Sequence, residues 1–448
     1  MDKIKNRSME LLKQLFIMLA IILMSGHTGW TQTYDFDEFL NAVKQHNKDL
    51  KLAVKDKEIA SLQQKEARSA ALPSAGFETG YTRNLSDYYM YFDKSAIMPG
   101  TTGLIKAPIK RDNEFSSTVA LRQTLYSSVI GSAIQASQQY SKLADYACEA
   151  TEQGVLSSAK KLFYQYLFLE KVLSVTESAE VNALENYTNM KLKYDNGQVS
   201  EFDLLQAETR WRSAIPEIQK AERNMKLAKN LLKNLAGFDI DEEIAFEGSL
   251  DNMPVMPEKI SIEKVFDERP DFQALIWEKE LRKTNLDVTK GAYKPKITGT
   301  MAYAYSSQSN KFRLNEENKL WFVGVNLSIP LYTGGYLKTQ VQKAQVDLNK
   351  TDLIMEKTRE SISTDIVNVY LRLQEAVQRI DSADATRKTA EKAFRIAETT
   401  TRDGLTTQLQ LKDTRFGFDQ ATINYYAAVY DYLASYFDWE LAVGNVEI

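Results

Sequence analysis

The amino-acid sequence predicts an α+β fold, mainly α. Two tandem repeats form long antiparallel helical hairpins, an α-barrel once assembled, and supply four membrane-crossing β-strands per chain to a trimeric 12-stranded β-barrel. Three observations carry this expectation. The first is an internal duplication at an offset of 206–207 residues. Leu125-Tyr126-Ser127 recurs as Leu331-Tyr332-Thr333, the turn Tyr194 to Ser200 as Thr401 to Thr407, and Asn234 to Gly237 as Leu441 to Gly444. Self-similarity at a fixed spacing constrains a fold more than any single motif. The second is a proline-free run, Val129 to Asn196, 68 residues long, which as one helix would extend roughly 100 Å. The third is a period-two alternation of apolar with small or polar residues in four stretches of about ten residues.

Taken in order, residues 1–31 predict a secretory signal peptide. Lys3, Lys5, Arg7 and Lys13 precede the apolar run Leu15 to Met24, which is too short for a comfortable membrane span. Cleavage is expected near Thr31 or Gln32, and with no cysteine following the run a lipid anchor is not expected. Repeat 1 occupies 32–237, an acidic, proline-punctuated connector 238–262, and repeat 2 263–448. Each repeat opens with a helix (~35–71, and a second ending at Tyr293) that a proline stops, Pro73 and Pro295, because proline lacks the N–H and biases its predecessor toward extended structure.

The strands follow. Phe77, Thr79 and Tyr81 alternate with Glu78, Gly80 and Thr82; Phe115, Val119, Leu121 and Leu125 with Ser116, Thr118, Arg122 and Thr124. In the second copy Ile297, Met301, Tyr303 and Tyr305 alternate with Thr298, Thr300, Ala302 and Ala304, and Trp321 to Ile329 continues the pattern. Alternation alone fits a soluble antiparallel sheet as well as a tilted bilayer-crossing strand; the crowding of Tyr81, Tyr88, Tyr89, Tyr91 and Phe92 tilts it toward a membrane interface. Asp87 to Asn113 is expected as an extracellular loop. The long helices carry heptad-like seams, Ala159-Leu162-Tyr166-Leu169-Leu173 and Ile362-Ile366-Val369-Leu373-Ala376, as knobs-into-holes packing requires. Gly197 and Gly404 break them in polar turns, and the returning helices end at Gly237 and Gly444. Pro216 has no counterpart, so a kink or irregularity is expected there. The connector is expected to pack beside the helices.

Four strands cannot close a barrel, and an open edge is not tolerated in hydrocarbon. Three chains supply twelve strands and twelve helical columns, so geometry favours a homotrimer surrounded by outer-membrane lipid.

At this point the motifs resemble the TolC family of outer-membrane efflux proteins over nearly the whole mature chain. Ala67-Arg-Ser-Ala-Ala-Leu-Pro73 resembles its helix-to-strand junction and Arg269-Pro-Asp271 the start of its second-repeat helix. Ile329-Pro-Leu-Tyr-Thr-Gly-Gly335 is similar to its strand-to-helix junction. Tyr194-x-x-Gly197-x-x-Ser200-x-x-Asp203-Leu-Leu-x-Ala207 matches its hairpin tip. The resemblance implies a passive outer-membrane exit duct reaching into the periplasm, where a periplasmic adaptor (membrane fusion protein) and an inner-membrane pump dock to it and drive export of small molecules or metal ions. Polypeptide secretion by a type I system is the alternative within the transport class; a periplasmic structural or adaptor coiled coil is the alternative outside it.

The family also implies acidic residues six and nine positions after each tip glycine, at the periplasmic constriction. Those positions hold Asp203 and Gln206 in the first copy and Gln410 and Asp413 in the second. A carboxylate ring in a narrow pore attracts cations; a carboxylate in the first turn of a helix is equally at home because it complements the helix dipole. The tip residues Gly197, Val199, Ser200, Gly404, Leu405 and Thr407 are the expected adaptor contacts, and their turn chemistry serves the fold as well.

No enzyme is expected. His27 lies in the signal segment and His46 stands alone, so no pair of close histidines or cysteines is offered to zinc, and a Ser-His-acid triad would have to use His46, for which nothing argues. Gly334-Gly335 is a junction rather than a phosphate loop. Cys148, the only cysteine, rules out an intrachain disulfide and is expected as a packed thiol. No cofactor is implied, and a net charge of −4 with mixed signs argues against a nucleic-acid partner.

Overall fold

The computed structural model describes residues 32–403, 405 and 407–445; the expected signal segment and Gly404 lie outside the described residues. In chain order the elements are β1 (Gln32–Tyr34), α1 (Phe36–His46), α2 (Lys48–Ser69), β2 (Ser74–Arg83), β3 (Tyr89–Asp93), β4 (Leu104–Pro108), β5 (Asn113–Ser127), α3 (Ser128–Asp195), α4 (Glu201–Leu235), β6 (Ile244–Phe246), α5 (Ile262–Glu268), α6 (Pro270–Gly291), β7 (Lys296–Ser309), β8 (Glu317–Ser328), α7 (Tyr336–Arg402) and α8 (Gln408–Val443). They fall into two compact units. One comprises the chain up to Leu52, Thr151–Glu268 and Ser363 onward; the other comprises Ala53–Ala150 and Arg269–Ile362.

The second unit holds the four strands in one antiparallel sheet of order β2-β5-β7-β8, so the two repeats meet at its centre, β5 against β7. The register keeps like parity together. Phe77, Thr79 and Tyr81 lie beside Val119, Ser117 and Phe115; Leu121 and Val119 lie beside Met301 and Tyr303, and these beside Val323 and Trp321. One face is therefore apolar and aromatic. The other carries Glu78, Gly80, Thr118, Ser116, Ala304 and Ser306 along the same rows. Every residue of β2 and β8 is exposed: both outer strands present an unpaired edge. At one end of the sheet Tyr81, Phe115 and Phe312 form a triangle of rings 5.0–5.5 Å apart. Asn113 clasps this corner, accepting from the Tyr81 hydroxyl (2.8 Å) and Arg83 (2.9 Å) and donating to the Ser309 carbonyl (2.9 Å).

The segment expected as a loop holds a hairpin of its own, β3 against β4. Tyr89, Tyr91 and Phe92 belong to this hairpin rather than to the four-stranded sheet, so of the aromatic crowd only Tyr81 lies in the sheet. Lys106 sits over the Tyr89 ring at 3.8 Å. The two strand-to-helix junctions also differ. In repeat 1, β5 runs straight into α3 after a register shift between Thr124 and Tyr126. In repeat 2, Gly334 (φ 60°) and Gly335 (φ 84°) turn the chain through left-handed backbone, which costs a residue with a Cβ about 1–2 kcal/mol.

The first unit is built on α4, α8 and the parts of α3 and α7 that belong to it. Within α7, Ile366, Val369, Leu373 and Ala376 of the expected seam are all buried. In α3 the buried row is Leu156, Ala159, Phe163, Tyr166 and Leu167, while Leu162, Leu169 and Leu173 are only half-buried. The connector explains this shift. Its strand β6 pairs in parallel with β1, and Phe246 lies within an aromatic cluster with Phe39, Phe163 and Tyr166. Gly248 lies so close to α3 that a Cβ there would come within 2.9 Å of Leu167 and 3.0 Å of Phe163. Tyr432 on α8 donates to the Pro254 carbonyl at 2.6 Å. Packing beside the helices, as expected, the connector draws the α3 seam toward itself.

The opening helix needs correction. The single helix over ~35–71 is two helices, divided at Asn47, whose buried side chain accepts from Asp49 and Leu50 N–H (2.9 and 3.1 Å) and donates to the Leu235 carbonyl (2.9 Å). Asparagine is a strong N-cap, and here it starts α2. Pro216 lies inside α4, which is helical throughout Glu201–Leu235; lacking an N–H, it leaves the helix one backbone bond short there. His46 is exposed, and its backbone packs against Gly237.

Candidate functional site at the hairpin tips

The turn between α3 and α4 follows from its sequence. Gly197 adopts φ 71°, Gly197 N–H donates to the Tyr194 carbonyl and Gln198 N–H to the Lys193 carbonyl, both at 2.8 Å. This is a Schellman ending, which needs left-handed backbone at the glycine. In the second copy Leu405 N–H donates to the Thr400 carbonyl at 2.8 Å, the same bond 207 residues on. Each returning helix then starts with a capping box. Ser200 Oγ accepts from Asp203 N–H (3.2 Å) and donates to its carboxylate (2.7 Å). Thr407 and Gln410 form the equivalent box, Gln410 N–H donating to Thr407 Oγ1 at 3.3 Å.

Asp203 and Gln410 therefore occupy the same position and share one structural task, closing the first turn. Ser200 and Thr407 are its hydroxyl partners. Gln206 and Asp413 are exposed and outside either box. Val199 is half-buried, whereas Leu405 is 80% exposed.

The structure adds residues that the motif comparison passed over. Phe202 (73% exposed) and Leu409 occupy equivalent places one residue into the returning helices, and Leu205 is exposed beside them. Extending the 207-residue offset by a few positions would have revealed this apolar pair. Behind each tip a stacked ring pair ties the outgoing helix to the returning one: Tyr187 with Trp211 (5.3 Å, 8°) and Phe394 with Phe418 (6.0 Å, 4°). These pairs also obey the offset. Trp211 Nε1 donates to Glu180 at 2.7 Å. An ion pair one turn apart follows in both copies with its signs exchanged, Glu208–Arg212 (2.7 Å) and Arg415–Asp419 (3.0 Å). Burial pushes the Asp419 carboxyl up, against the pull of Arg415.

α4 and α8 meet on defined faces. Asp203, Ala207 and Arg210 share one face of α4, as residues four and seven apart do; Ala207 is 1% exposed. Lys412 and Phe416 share a face of α8, and Arg210 lies 5.9 Å from the Phe416 ring. Burial lowers the Lys412 pKa, with Arg210 acting in the same direction and Asp203 and Asp413 opposing. Among the described residues, no group of three or more His, Cys, Asp or Glu side chains is placed to hold a metal ion, and no helix is long and apolar enough to cross a membrane.

A sheet with two open edges and one apolar face, joined in sequence to duplicated hairpins with matched tips, is the architecture of a membrane-channel protein. The chain belongs to the outer membrane efflux protein family, whose model matches residues 39–238 and 262–445. Outer membrane protein TolC of Vibrio cholerae is 22% identical over 454 residues, covering 98% of this chain and 96% of the relative. TolC of Escherichia coli is 18% identical, covering 97% and 87%. Among solved structures, the Campylobacter jejuni CmeC outer membrane channel superimposes with TM-score 0.78 at 19% identity, over 91% of this chain and 85% of that one. The outer membrane protein VceC of Vibrio cholerae gives 0.71 at 17%, over 91% and 95%. These likenesses establish the fold, and the family makes the chain an outer-membrane efflux channel protein.

Proposed function

We propose that three copies of the chain form a passive exit duct of a tripartite efflux pump, exporting small molecules or metal ions from the periplasm across the outer membrane. The observation that carries this reading is the pair of bare edges. β2 and β8 are exposed along their whole length on a sheet whose other face is small and polar, and such edges are tolerated in hydrocarbon only when another chain closes them. Twelve strands leave a lumen, whereas eight fill with side chains. The mass of the complex extracted in detergent from outer membranes tests the reading. Three chain masses are expected; a monomer in the soluble periplasm would instead favour a coiled-coil adaptor.

The hairpin tips, Gly197, Val199 and Ser200 with Gly404, Leu405 and Thr407, are the proposed docking surface for the periplasmic adaptor, which in turn engages the inner-membrane pump. Asp203, Gln206, Gln410 and Asp413 are the proposed lining of the constriction. Leu405 supports the docking role, being an exposed leucine whose side chain the turn does not need. Leu405→Asp should weaken adaptor capture about tenfold or more, as loss of a buried apolar anchor does at other interfaces, with the trimer unchanged in mass. Undiminished capture in a co-purification assay would remove Leu405 from the interface.

A further inference from the structure

At the end away from the long helices, the sheet closes in two loops, residues 84–112 between β2 and β5 and 310–316 between β7 and β8. Both belong to the unit that holds the sheet, and they are stitched together. Arg111 pairs with Glu316 at 3.4 Å, and Asp112 N–H donates to Asn310 Oδ1 at 3.3 Å. Phe312, 74% exposed, sets its ring 5.5 and 5.4 Å from those of Tyr81 and Phe115. Tyr81 and Phe115 have the parity of the apolar face, so Phe312 brings the β7–β8 loop onto that face at its far end. Lys311 and Arg313 flank it and are exposed.

Charge is not balanced here. Residues 83–114 and 310–319 hold eight Lys or Arg and six Asp or Glu, a net +2 in a chain of net −4. Asp112 pairs with Arg83 (3.3 Å), Glu316 with Arg111 and Glu317 with Lys319 (3.1 Å). Glu114 has the parity of the small, polar face and accepts from Asn84 at 2.9 Å. Lys94 and Lys106 belong to the β3–β4 segment, where Asp87 and Asp93 match them in number. Lys110, Lys311 and Arg313 are left with no carboxylate partner among the described residues.

Resting on the reading that the sheet spans the outer membrane with its helices on the periplasmic side, we infer that this corner binds the headgroup phosphate of an anionic lipid of the outer leaflet. Arg313 offers a planar fork suited to two phosphate oxygens, and Lys311 and Lys110 add point charges. Phe312, Tyr81 and Phe115 form the aromatic level that marks a membrane interface. Further along the same face, Val119, Tyr303 and Trp321 lie side by side in register and give acyl chains an apolar surface. A free phosphate ion would use the cations but not the rings, so the occupant is a lipid.

Native mass spectrometry of the full-length assembly, extracted in detergent from outer membranes and titrated with phosphatidylglycerol or phosphatidylcholine, tests this. Wild type should retain phosphatidylglycerol in preference to phosphatidylcholine. Lys311→Gln with Arg313→Gln should lower that retention about tenfold or more, with the mass of the assembly unchanged, and Phe312→Ser should lower it as well. Lys94→Gln with Lys106→Gln removes the same charge from the neighbouring segment and should leave retention at the wild-type level. Equal retention of the two lipids by wild type overturns the inference, as does unaltered retention in the Lys311 and Arg313 double variant. Equal loss in both double variants also overturns it, since diffuse charge would then suffice. Displacement by inorganic phosphate, beyond that by potassium chloride of equal ionic strength, would make the corner a site for the free ion and not for lipid. Recovery of wild type as a soluble periplasmic monomer overturns the membrane-spanning reading itself; a membrane assembly that keeps no phosphatidylglycerol overturns only the lipid site.

Discussion

Val323→Arg is expected to abolish the outer-membrane trimer. Val323 lies on the apolar face of β8, in register with Met301, and is 77% exposed in the single chain. A guanidinium near the bilayer midplane costs about 2–4 kcal/mol, and a closed barrel would carry the change once in every copy. That sum is comparable with the whole stability of a typical domain, so the variant should be lost from the outer-membrane fraction and recovered as unassembled chain. The same strand supplies its own control. Asn326 has the opposite parity, and Asn326→Arg would place the charge on the small, polar face, where assembly should survive. Quantifying trimer in membrane fractions of the two variants decides the matter: equal loss of both would show that the parity of β8 does not separate lipid from lumen.

The second large effect is expected inside the helical unit. Lys160 on α3 and Glu440 on α8 meet at 2.9 Å with their side chains only 6% and 11% exposed, and the Lys160 ammonium lies 5.5 Å from the Phe437 ring. Glu440→Leu strips the carboxylate from a buried cation, a change worth about 3–5 kcal/mol in comparable sites. A marked drop in the apparent melting temperature of the detergent-solubilised protein should follow. The double replacement Lys160→Met with Glu440→Leu removes both charges and should recover most of the loss. If the double variant were no more stable than the single one, the loss would come from packing rather than from an uncompensated charge.

Much of the fold was legible because it is written in local and repeated signals. Prolines after the opening helices, period-two alternation and glycine turns each act through a few neighbouring residues, and the duplication supplied every one of them twice. Strand limits missed by a few residues at most, and the long helix expected at Val129 to Asn196 spans Ser128–Asp195. The errors have equally local causes. Asn47 is a single cap inside a run of good helix formers, visible only if its side chain is credited with starting a new helix. The β3–β4 hairpin was hidden because its aromatic residues were assigned to the membrane rather than to a strand paired with Leu104–Pro108.

The candidate site was legible to a lesser degree. Positions six and nine after each tip glycine could be counted, but counting cannot show that Asp203 and Gln410 are bound into capping boxes while Gln206 and Asp413 are not. Nor could it show that Arg210 of one tip lies 5.9 Å from the Phe416 ring of the other, a pair some two hundred residues apart in sequence.

By itself, then, the sequence determined the long helices, the four strands of the sheet, their order and their duplication, because hydrogen-bond periodicity and turn stereochemistry act locally. Tertiary structure alone decided that β5 and β7 join the repeats, that the connector packs against α3, and that Arg210 of one tip lies over the Phe416 ring of the other. Those outcomes depend on which faces of distant segments pack together, and long-range packing is set by complementary shape and burial rather than by any pattern readable along the chain.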